Sequence, residues 1–341
     1  MKIAIVGGGT LGHIVPGLIL GSNLAKKHEI IYITTKKDKR FNIFNKHKYL
    51  KKVYYIDSSG LSKNILTNIK TFFKDLKAMF QIKKIVNSEQ IDLLIGMGGY
   101  ISGLTMFCTK KKIYKIIHEQ NKVMGMANKI SIREANKILL TFDIDLKRNN
   151  NKKTIVSNPC LFIKKPNIVK EPNHILITSG SNGAKEINDL AVKIINEKLI
   201  PNYHITLVTG KKYYEETIEK IKNKENVDIY PFIDNMHDFI YRASFIISRA
   251  GSSTIFESIA LDTIPLLFPS SNVTNNHQYY NAQEIVNFGI GEIINQDNVI
   301  RTFNKVKNHY QEYLFNIRKY KKEYNFDKII ELIEEDIISK N

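Results

Sequence analysis

The sequence predicts an α/β protein made of two domains, each organised around a parallel sheet. The chain begins with a short apolar strand, Lys2–Val6, a glycine-rich turn and a helix, and the same order of elements returns at residue 175. After each start, apolar runs of strand length alternate with amphipathic helices, as in parallel sheets covered by helices. The length of 341 residues and the hydrophobic content of 43% are sufficient for two domains with proper cores.

A proline-containing segment separates the two domains. Pro159, Pro166 and Pro172 interrupt a stretch with little periodicity, which indicates a connection rather than a helix or a strand. The expected organisation is an N-terminal Rossmann-like domain at 1–158, a linker at 159–172, a C-terminal Rossmann-like domain at 173–311 and C-terminal helices at 312–341.

The composition limits the class of protein and its partners. A formal charge of +18 favours nucleic acid, an anionic membrane or a phosphorylated substrate, although a general excess of Lys, Asn and Ile contributes to it. Cys108 and Cys160 have no metal-ligand spacing and predict reduced thiols in the cytosol. The N-terminus lacks the features of a signal peptide, and no apolar run of about 18 residues predicts a membrane-spanning helix.

The first glycine turn fits a dinucleotide-binding pattern only in part. Gly7, Gly9 and Gly12 match GxGxxG directly after a strand. A dinucleotide-binding domain would place an acidic residue at the end of the second strand, Glu29–Thr35, where it binds a ribose. The sequence Thr-Thr-Lys-Lys at residues 34–37 occupies that place, which argues against a dehydrogenase.

Residues 63–84 predict a basic amphipathic helix rich in aromatic side chains. Six lysines and one aspartate accompany its apolar positions. Such a helix is a candidate for lying on an anionic lipid surface. The alternative is a helix that buries its apolar stripe against the sheet and leaves the lysines in solvent. The positions expected to contact lipid are Ile69, Phe72, Phe73, Leu76 and Phe80.

Polar residues follow two further predicted strands, at the edge of an α/β sheet where ligands bind. His-Glu-Gln-Asn at residues 118–121 follows the strand at 112–117, and a Gly-Met-Gly-Gly-Tyr turn follows the strand before it. Asp143 and Asp145 form a DxD pattern of the kind that holds a metal in many sugar transferases. Because this pattern has poor specificity and leads into a lysine-rich loop, we expect no metal there.

The stretch at residues 248–257 is the strongest candidate for a ligand site. It follows the apolar strand 245–247 and opens a helix through Gly251 and several hydroxyl residues. Unpaired backbone N–H groups and the helix dipole make such a helix start a site for a diphosphate. Glu257 lies two turns further and could accept hydrogen bonds from a ribose, and Arg249 is one of 7 arginines among 51 basic residues. An ordinary Ser-capped helix with a surface arginine is the alternative.

Five short motifs occur along the chain in order. They are Gly-Gly-Gly-Thr-x-Gly-His-x-x-Pro at 7–16, His-Glu-Gln-Asn at 118–121, Ser-Gly-Ser-Asn-Gly-Ala at 179–184, Ser-Arg-Ala-Gly-x-x-Thr-x-x-Glu at 248–257 and Asn-His-Gln-x-x-Asn-Ala at 276–282. Each motif alone is weak, but together they are specific, and they cover essentially the whole chain. In this combination the sequence resembles the MurG family, the N-acetylglucosaminyltransferases of peptidoglycan synthesis.

The resemblance implies a GT-B fold, in which two Rossmann-like domains face each other across a cleft. It implies an inverting transfer of N-acetylglucosamine from UDP-N-acetylglucosamine to undecaprenyl-pyrophosphoryl-N-acetylmuramyl-pentapeptide, without a metal or another cofactor. The protein would lie peripherally on anionic lipid at the cytoplasmic face of the cell membrane and would bind no nucleic acid. The family's last helix packs back on the N-terminal domain, and residues 312–341 would provide it.

The resemblance also implies which residues act. His13 is the first candidate for the base that deprotonates the acceptor hydroxyl, because an imidazole titrates near neutrality; a helix-capping or phosphate-binding histidine is the alternative. Glu119 is the second candidate for the base, or it orients the acceptor. The substrate-binding residues are Thr10, Leu11, Gly12, Asn121, Ser181, Ile233, Arg249, Gly251, Ser252, Ser253, Thr254, Ile255, Phe256, Glu257, His277, Gln278 and Asn281.

Two positions depart from the family, and three other functions stay open. Leu11 stands where the family usually has a small residue, and Leu161 where it usually has an arginine. The nearest alternative is a related synthase that glycosylates diacylglycerol. The others are a UDP-sugar sensor without turnover and a basic nucleic-acid-binding protein, although no nucleic-acid-binding module is recognisable.

Overall fold

The computed structural model describes residues 1–58, 60, 65–180, 183–270, 276–324 and 327–338. The chain forms two compact units. The first comprises Met1–Pro159 together with Phe326–Asn341, and the second comprises Cys160–Asn325. We call them the N-unit and the C-unit.

The N-unit is built on a seven-stranded parallel sheet. Its strands are β1 (Lys2–Val6), β2 (Glu29–Thr35), β3 (Leu50–Ile56), β4 (Leu93–Gly96), β5 (Tyr114–Glu119), β6 (Lys137–Leu140) and β7 (Lys153–Ile155), in the order β3-β2-β1-β4-β5-β6-β7. Its first four helices are α1 (Leu11–Leu24), α2 (Ile65–Ser88), α3 (Tyr100–Cys108) and α4 (Met126–Ser131). Because β2 and β4 lie on opposite sides of β1, the carboxyl ends of β1 and β4 form a switch point, where open α/β sheets bind ligands.

The C-unit repeats this arrangement with six parallel strands. They are β8 (His174–Thr178), β9 (His204–Val208), β10 (Val227–Tyr230), β11 (Phe245–Ser248), β12 (Ile264–Leu267) and β13 (Glu292–Ile293), in the order β10-β9-β8-β11-β12-β13. Its helices are α5 (Lys185–Asn196), α6 (Tyr214–Lys220), α7 (Met236–Arg242), α8 (Ser252–Ala260), α9 (His277–Asn287), α10 (Val299–Asn308) and α11 (Tyr310–Glu323). Here the switch point lies between β8 and β11.

The central strands form because their side chains are apolar on both faces. Ile3 and Ile5 of β1 and Ile246 of β11 are completely buried. Continuous Ile, Val and Leu runs suit parallel strands that helices cover on both sides. The buried strands hold the glycine turns that follow them at the carboxyl edges of the two sheets.

One further helix, α12 (Asp327–Ile338), comes after the C-unit in the chain but belongs to the N-unit. Its Glu334 carboxylate lies 2.7 Å from the Lys27 Nζ atom and 3.7 Å from the His28 ring. Ile329 and Ile333 are completely buried. The amphipathic pattern of this helix is thus explained by its apolar face, which packs on the N-unit.

The structure differs from the sequence prediction at several element boundaries. The strands β3, β7 and β13 were not predicted, because edge strands are only partly buried and carry a weaker apolar pattern. Helix α4 ends at Ser131 and continues as a 3₁₀ turn, Ile132–Glu134. Helix α1 begins at Leu11 and has Pro16 in its second turn.

The predicted linker is mostly packed on the C-unit. It starts with a 3₁₀ helix, Pro159–Phe162. Further along, Lys170 donates hydrogen bonds to the carbonyl groups of Tyr241 (3.0 Å) and Ala243 (2.8 Å). The prolines prevent regular structure but do not prevent packing, and the segment is therefore a part of the C-unit rather than a free connection.

Candidate active site

The turns after β1 and β4 touch each other through glycines at the N-unit switch point. A Cβ atom on Gly99 would lie 2.3 Å from the carbonyl oxygen of Gly8, and one on Gly98 would lie 2.7 Å from Nδ1 of His13. Gly98 and Gly99 have φ angles of +100° and +80°, which other residues rarely adopt. Without side chains at these positions, the His13 ring packs directly against the turn after β4.

The predicted residues of the first glycine turn begin helix α1. The carbonyl oxygen of Thr10 accepts hydrogen bonds from the N–H groups of His13 (3.2 Å) and Ile14 (3.3 Å). Thr10 is exposed, and Leu11, Gly12 and His13 are half-buried. His13 thus combines a fixed backbone with partial access from solvent, as a general base requires.

An acidic residue does follow β2, but it serves the interior of the N-unit. Asp38 is completely buried, and each of its carboxylate oxygens accepts the N–H of Gly9 at 3.0 Å. The hydroxyl groups of Thr34 and Thr35 donate to the same carboxylate at 2.8 and 2.7 Å. This carboxylate is saturated and cannot hold a ribose, which further weakens the dinucleotide interpretation. Asp38 lies one position beyond the Thr-Thr-Lys-Lys sequence that ends β2, and therefore outside the position of the ribose-binding residue in the dinucleotide pattern.

Glu119 organises the loop that follows β5. Its Oε1 atom accepts hydrogen bonds from the backbone N–H and the Nδ2 atom of Asn121, at 3.0 and 3.1 Å. Its Oε2 atom accepts from the Gly125 N–H at 2.9 Å and from Asn128 Nδ2 at 2.8 Å. A buried carboxylate with four donors is poorly placed to take a proton from a substrate. The geometry therefore favours the orienting role for Glu119 and fixes Asn121 beside it.

His118, in the same motif, supports the end of β5. Burial lowers the pKa of this histidine to about 4, so that its ring is neutral at physiological pH. Its Nδ1 atom lies 3.2 Å from Nε2 of Gln120. His118 and Gln120 are both buried and thus support the loop from the interior of the N-unit.

The C-unit presents an open glycine turn at the switch point between β8 and β11. Gly251 precedes α8 with an ordinary extended backbone, and a Cβ atom there would meet no atom within 4 Å. The N-cap residue Gly251 has no side chain to cap α8, and the first turn of this helix contains no acidic residue. The partial positive charge at this helix start is therefore not neutralised by its own turn, which suits it to a diphosphate. Ser181, predicted in the neighbouring turn after β8, lies outside the described residues.

The side chains of the predicted stretch 251–256 differ in what they can contact. Ile255 and Phe256 are completely buried in the core of the C-unit, and Ser252 is also buried. Ser253 and Thr254 are half-buried. A substrate contact predicted for Ile255 and Phe256 can therefore involve only their backbone. Thr254 is partly accessible, and the Ser253 side chain forms a hydrogen bond with Cys160.

Arg249 already has partners within the C-unit. Its Nη2 atom lies 2.5 Å from a carboxylate oxygen of Glu186 on α5, and its Nη1 atom donates to the Phe268 carbonyl at 3.3 Å. Burial lowers the pKa of Arg249, and the charge of Glu186 acts against this. The arginine ties α5 to the loop before α8, and since a guanidinium carries more N–H donors than these two bonds use, a contact with a diphosphate does not require it to leave Glu186.

Glu257 has a histidine neighbour that the sequence analysis did not single out. Nε2 of His237, on α7, lies 4.0 Å from Oε1 of Glu257. Burial lowers the pKa of His237, but the hydrogen bond and the charge of Glu257, together with the charge of Asp238, outweigh burial and raise it. Glu257 stays partly accessible and keeps an oxygen for a ligand hydroxyl.

The remaining predicted C-unit residues divide into accessible and structural positions. His277 and Gln278 begin α9 and are half-buried, and Gln278 Oε1 accepts the Ser270 N–H at 2.9 Å. Asn281 is completely buried and donates to the Ala250 carbonyl at 3.3 Å, so that it supports the open turn from behind. Ile233 is buried as well. Substrate contacts through the side chains of Asn281 and Ile233 are thus not favoured.

Leu161, which departs from the family pattern, and the two cysteines all lie in the protein interior. Leu161 and Cys160 are buried in the C-unit, and Cys108 is buried in the N-unit. Burial raises the pKa of both thiols, to about 11 for Cys108. A charged side chain at position 161 would have no room in this packing, and both cysteines remain neutral.

The carboxylates of the DxD pattern are engaged by nearby side chains. Asp143 lies 2.6 Å from the Lys153 Nζ atom. Asp145 accepts hydrogen bonds from the Lys147 N–H (2.8 Å) and the Asn150 amide (2.7 Å). Among the described residues, no group of three or more His, Cys, Asp or Glu side chains is arranged to hold a metal ion.

Helix α2 buries one apolar face and exposes another. Phe72, Phe73 and Phe80 are 59%, 67% and 70% exposed. Ala78 and Ile82 on the opposite face are buried in the core. Of the other predicted lipid contacts, Leu76 is half-buried and the side chain of Ile69 lies outside the described residues. No helix in the described ranges has the length and apolar character needed to cross a membrane.

Comparison with known proteins identifies the family and the fold. The family 28 glycosyltransferase N-terminal domain matches residues 3–140, and the family 28 C-terminal domain matches residues 174–333. A Leuconostoc mesenteroides protein is 34% identical over 322 residues, which cover 87% of this chain and 86% of that protein. A Sulfurihydrogenibium protein is 31% identical, and the alignment covers 99% of this chain and 98% of that protein. Both are named UDP-N-acetylglucosamine–N-acetylmuramyl-(pentapeptide) pyrophosphoryl-undecaprenol N-acetylglucosamine transferase.

Solved structures resemble the whole chain. Acinetobacter baumannii MurG aligns with a TM-score of 0.70 at 23% identity, covering 93% of this chain and 94% of that one. The glycosyltransferase of kitacinnamycin aligns with a TM-score of 0.73 at 15% identity, covering 98% of each. The predicted GT-B fold class is confirmed by these likenesses and by the two parallel sheets. The chain therefore belongs to glycosyltransferase family 28, in the MurG family that its motifs indicated.

Proposed function

We propose that this protein transfers N-acetylglucosamine from UDP-N-acetylglucosamine to undecaprenyl-pyrophosphoryl-N-acetylmuramyl-pentapeptide, with inversion at the anomeric carbon. The reaction is the one named for the relatives that match most of the chain. The observation that carries the proposal is the start of α8 at the C-unit switch point, where the N-cap residue is a glycine that borders open space and the first turn has no acidic residue. This is a seat for the diphosphate of the sugar donor.

The C-unit binds the donor and stabilises the leaving group. As the bond between the anomeric carbon and the phosphate breaks, UDP departs with the electron pair and gains negative charge. The backbone N–H groups of the turn at Gly251 and the hydroxyl groups of Ser253 and Thr254 stabilise this charge by donating hydrogen bonds to the phosphate oxygens. Glu257 accepts hydrogen bonds from the ribose, and the His237 ring beside it orients its carboxylate.

The N-unit supplies the base. The 4-hydroxyl of the acceptor sugar attacks the anomeric carbon, and its proton passes to the imidazole of His13. The contact with Gly98 fixes the ring of His13, and α1 fixes its backbone. Glu119 takes no proton; it holds Asn121 and the loop after β5 through four hydrogen bonds.

The N-unit also contacts anionic lipid at the cytoplasmic face of the membrane, where the acceptor is anchored. The exposed apolar surface extends from α2 to α3 and α4. Its members are Phe72, Phe73, Phe80, Phe107, Met126 and Ile130. Lys77 and Lys83 on α2 add attraction to anionic headgroups, whereas Lys74 is paired with Asp57. An aromatic surface with a basic border suits shallow peripheral binding.

The test is transfer of labelled N-acetylglucosamine from the UDP donor to two acceptors, with a chelator present throughout. The acceptors are a lipid-linked muramyl-pentapeptide and a diacylglycerol. Product with the first alone supports the proposal and its metal independence. Product with diacylglycerol alone would move the protein to glycolipid synthesis. Binding of UDP-N-acetylglucosamine without product from either acceptor would indicate a sugar-nucleotide sensor.

A further inference from the structure

The three glycines of the N-unit turn are held in different ways. A Cβ atom on Gly7 would lie 2.8 Å from the His13 carbonyl oxygen, and one on Gly8 would lie 2.6 Å from Asp38 Oδ2, so packing fixes both. Gly9 is exposed, and a Cβ atom there would meet nothing within 4 Å. Its φ of +90° is nevertheless one that is costly to most residues. Something other than packing must therefore hold Gly9.

Two side chains from one short segment bind the backbone of Gly9. Both oxygens of Asp38 accept its N–H at 3.0 Å, and Nη2 of Arg40 donates to its carbonyl oxygen at 3.3 Å. Asp38 and Arg40 lie in the 3₁₀ helix Lys36–Phe41, directly after β2. The N–H and the C=O of one residue are thus held from the same element.

The support under Asp38 is itself rigid. Besides the two threonine hydroxyls, the backbone N–H of Thr35 donates to Oδ2 at 3.1 Å. A completely buried carboxylate is costly unless donors surround it, and these donors come from the end of a central strand. The end of strand β2 therefore sets the position of Gly9 through Asp38.

We propose that Asp38 and Arg40 are positioning residues for the transfer reaction. They hold Gly9 so that Thr10 starts α1 and the ring of His13 lies against Gly98 in the orientation that proton transfer requires. This inference rests on the proposed function, because it takes His13 as the base. It also means that the Gly9 N–H is committed to Asp38 and is not a donor for a substrate anion.

The experiment compares four variants of the full-length protein, of which Arg40→Lys is the conservative one. Asp38→Asn keeps the size of the side chain but turns one acceptor into a donor that faces backbone N–H groups. Arg40→Ala removes an exposed side chain at little expected cost to folding. Asp92→Asn is the matched control, since Asp92 accepts the Lys2 N–H at 2.9 Å at the opposite edge of the same sheet.

We expect kcat to fall about 10- to 100-fold for Asp38→Asn and about 3- to 10-fold for Arg40→Ala, because small displacements of a catalytic group are costly. Both variants keep the UDP dissociation constant of the wild type, because the C-unit binds UDP. Because the base is displaced in both variants, we expect the acidic limb of their kcat–pH profiles to shift relative to that of the wild type. Arg40→Lys retains a donor and should recover part of the rate. Asp92→Asn behaves as the wild type.

Two outcomes would overturn the inference. One is a kcat within about twofold of the wild type for both Asp38→Asn and Arg40→Ala. The other is a loss of kcat in Arg40→Ala that merely follows a lower melting temperature and weaker UDP binding. A wild-type protein without transfer activity would contradict the proposed function instead. In that case the inference is tested by amide hydrogen exchange at Gly9, which should be faster in Asp38→Asn than in the wild type.

Discussion

The glycine turns after β1 and β11 each lie at the switch point of their own sheet, and they differ in what completes them. In the N-unit, Asp38 accepts the Gly9 N–H, so that the turn is satisfied by a carboxylate of its own unit. In the C-unit, Gly251 borders open space; neither α1 nor α8 has an acidic residue in its first turn, so the difference comes from Asp38, which approaches from another element. The N-unit turn is thus closed by a carboxylate of the protein itself, whereas the C-unit turn is open to an anion from a ligand.

This difference shows why a glycine pattern after a strand does not by itself identify a ligand. Both turns expose backbone donors at a helix start, and the dipole of the helix acts on both. The side chains that approach from elsewhere decide whether those donors serve the fold or a substrate. We therefore assign the closed turn to catalysis and the open turn to donor binding.

The largest effect is expected from His13→Ala in the closed turn. Loss of a general base lowers turnover by about 10²- to 10⁴-fold, and UDP binding stays unchanged because the base does not hold the donor. Steady-state kinetics together with calorimetric titration of UDP measure both quantities. His309→Ala, at an exposed site on the C-unit, is the control. An unchanged kcat in His13→Ala would remove this residue from the mechanism.

Gly251→Asp tests the comparison most directly, because it gives the open turn an internal carboxylate. The extended backbone and the open space at this position accept a side chain, so folding is retained. Repulsion between the carboxylate and the diphosphate should weaken UDP binding about 100-fold. The neutral variant Gly251→Asn separates charge from size. Equal affinities for the two variants would show that the diphosphate does not bind at this helix start.

Each unit contains a buried histidine that makes its stability depend on pH. Burial lowers the pKa of His118 in the N-unit and of His174 in the C-unit to about 4. Unfolded histidine has a pKa of about 6.5, so that between these values the unfolded chain binds more protons and stability falls as the pH falls. The N-unit should lose about 2 kcal/mol between pH 7.5 and 5 through His118. Urea unfolding at both pH values measures this, and His118→Gln should flatten the dependence; a pH dependence as steep as that of the wild type would contradict it.

The smallest effect concerns the lipid surface, which we assign to the N-unit alone. Phe73→Glu with Phe80→Glu should reduce binding to anionic vesicles by about tenfold, because two exposed aromatic contacts are replaced by like charges. UDP binding in solution should not change. Phe315→Glu, at a residue of similar exposure in the C-unit, is the matched control. Equal losses at the two sites would argue against a specific lipid face on α2.

The sequence by itself determined the fold class, the family and the position of both glycine turns. These follow from local patterns: buried Ile and Val runs make the central strands, and glycines must follow them where backbones approach closely, as Gly99 and Gly8 do. The lack of an acidic residue in the first turn of α8 is likewise local, since residues 252–256 contain none, but the open space at Gly251 is not.

Only the tertiary structure decided what each candidate side chain does. Asp38 closes a turn 29 residues before it, Arg249 pairs with Glu186 from another helix, and Asn281 supports Ala250 from α9. Spacing along the chain cannot predict such contacts, since they depend on which elements the sheet order brings together. The two faces of α2 were likewise indistinguishable in sequence, because an apolar side chain suits the core and a lipid surface equally well, and only packing against the sheet selects between them.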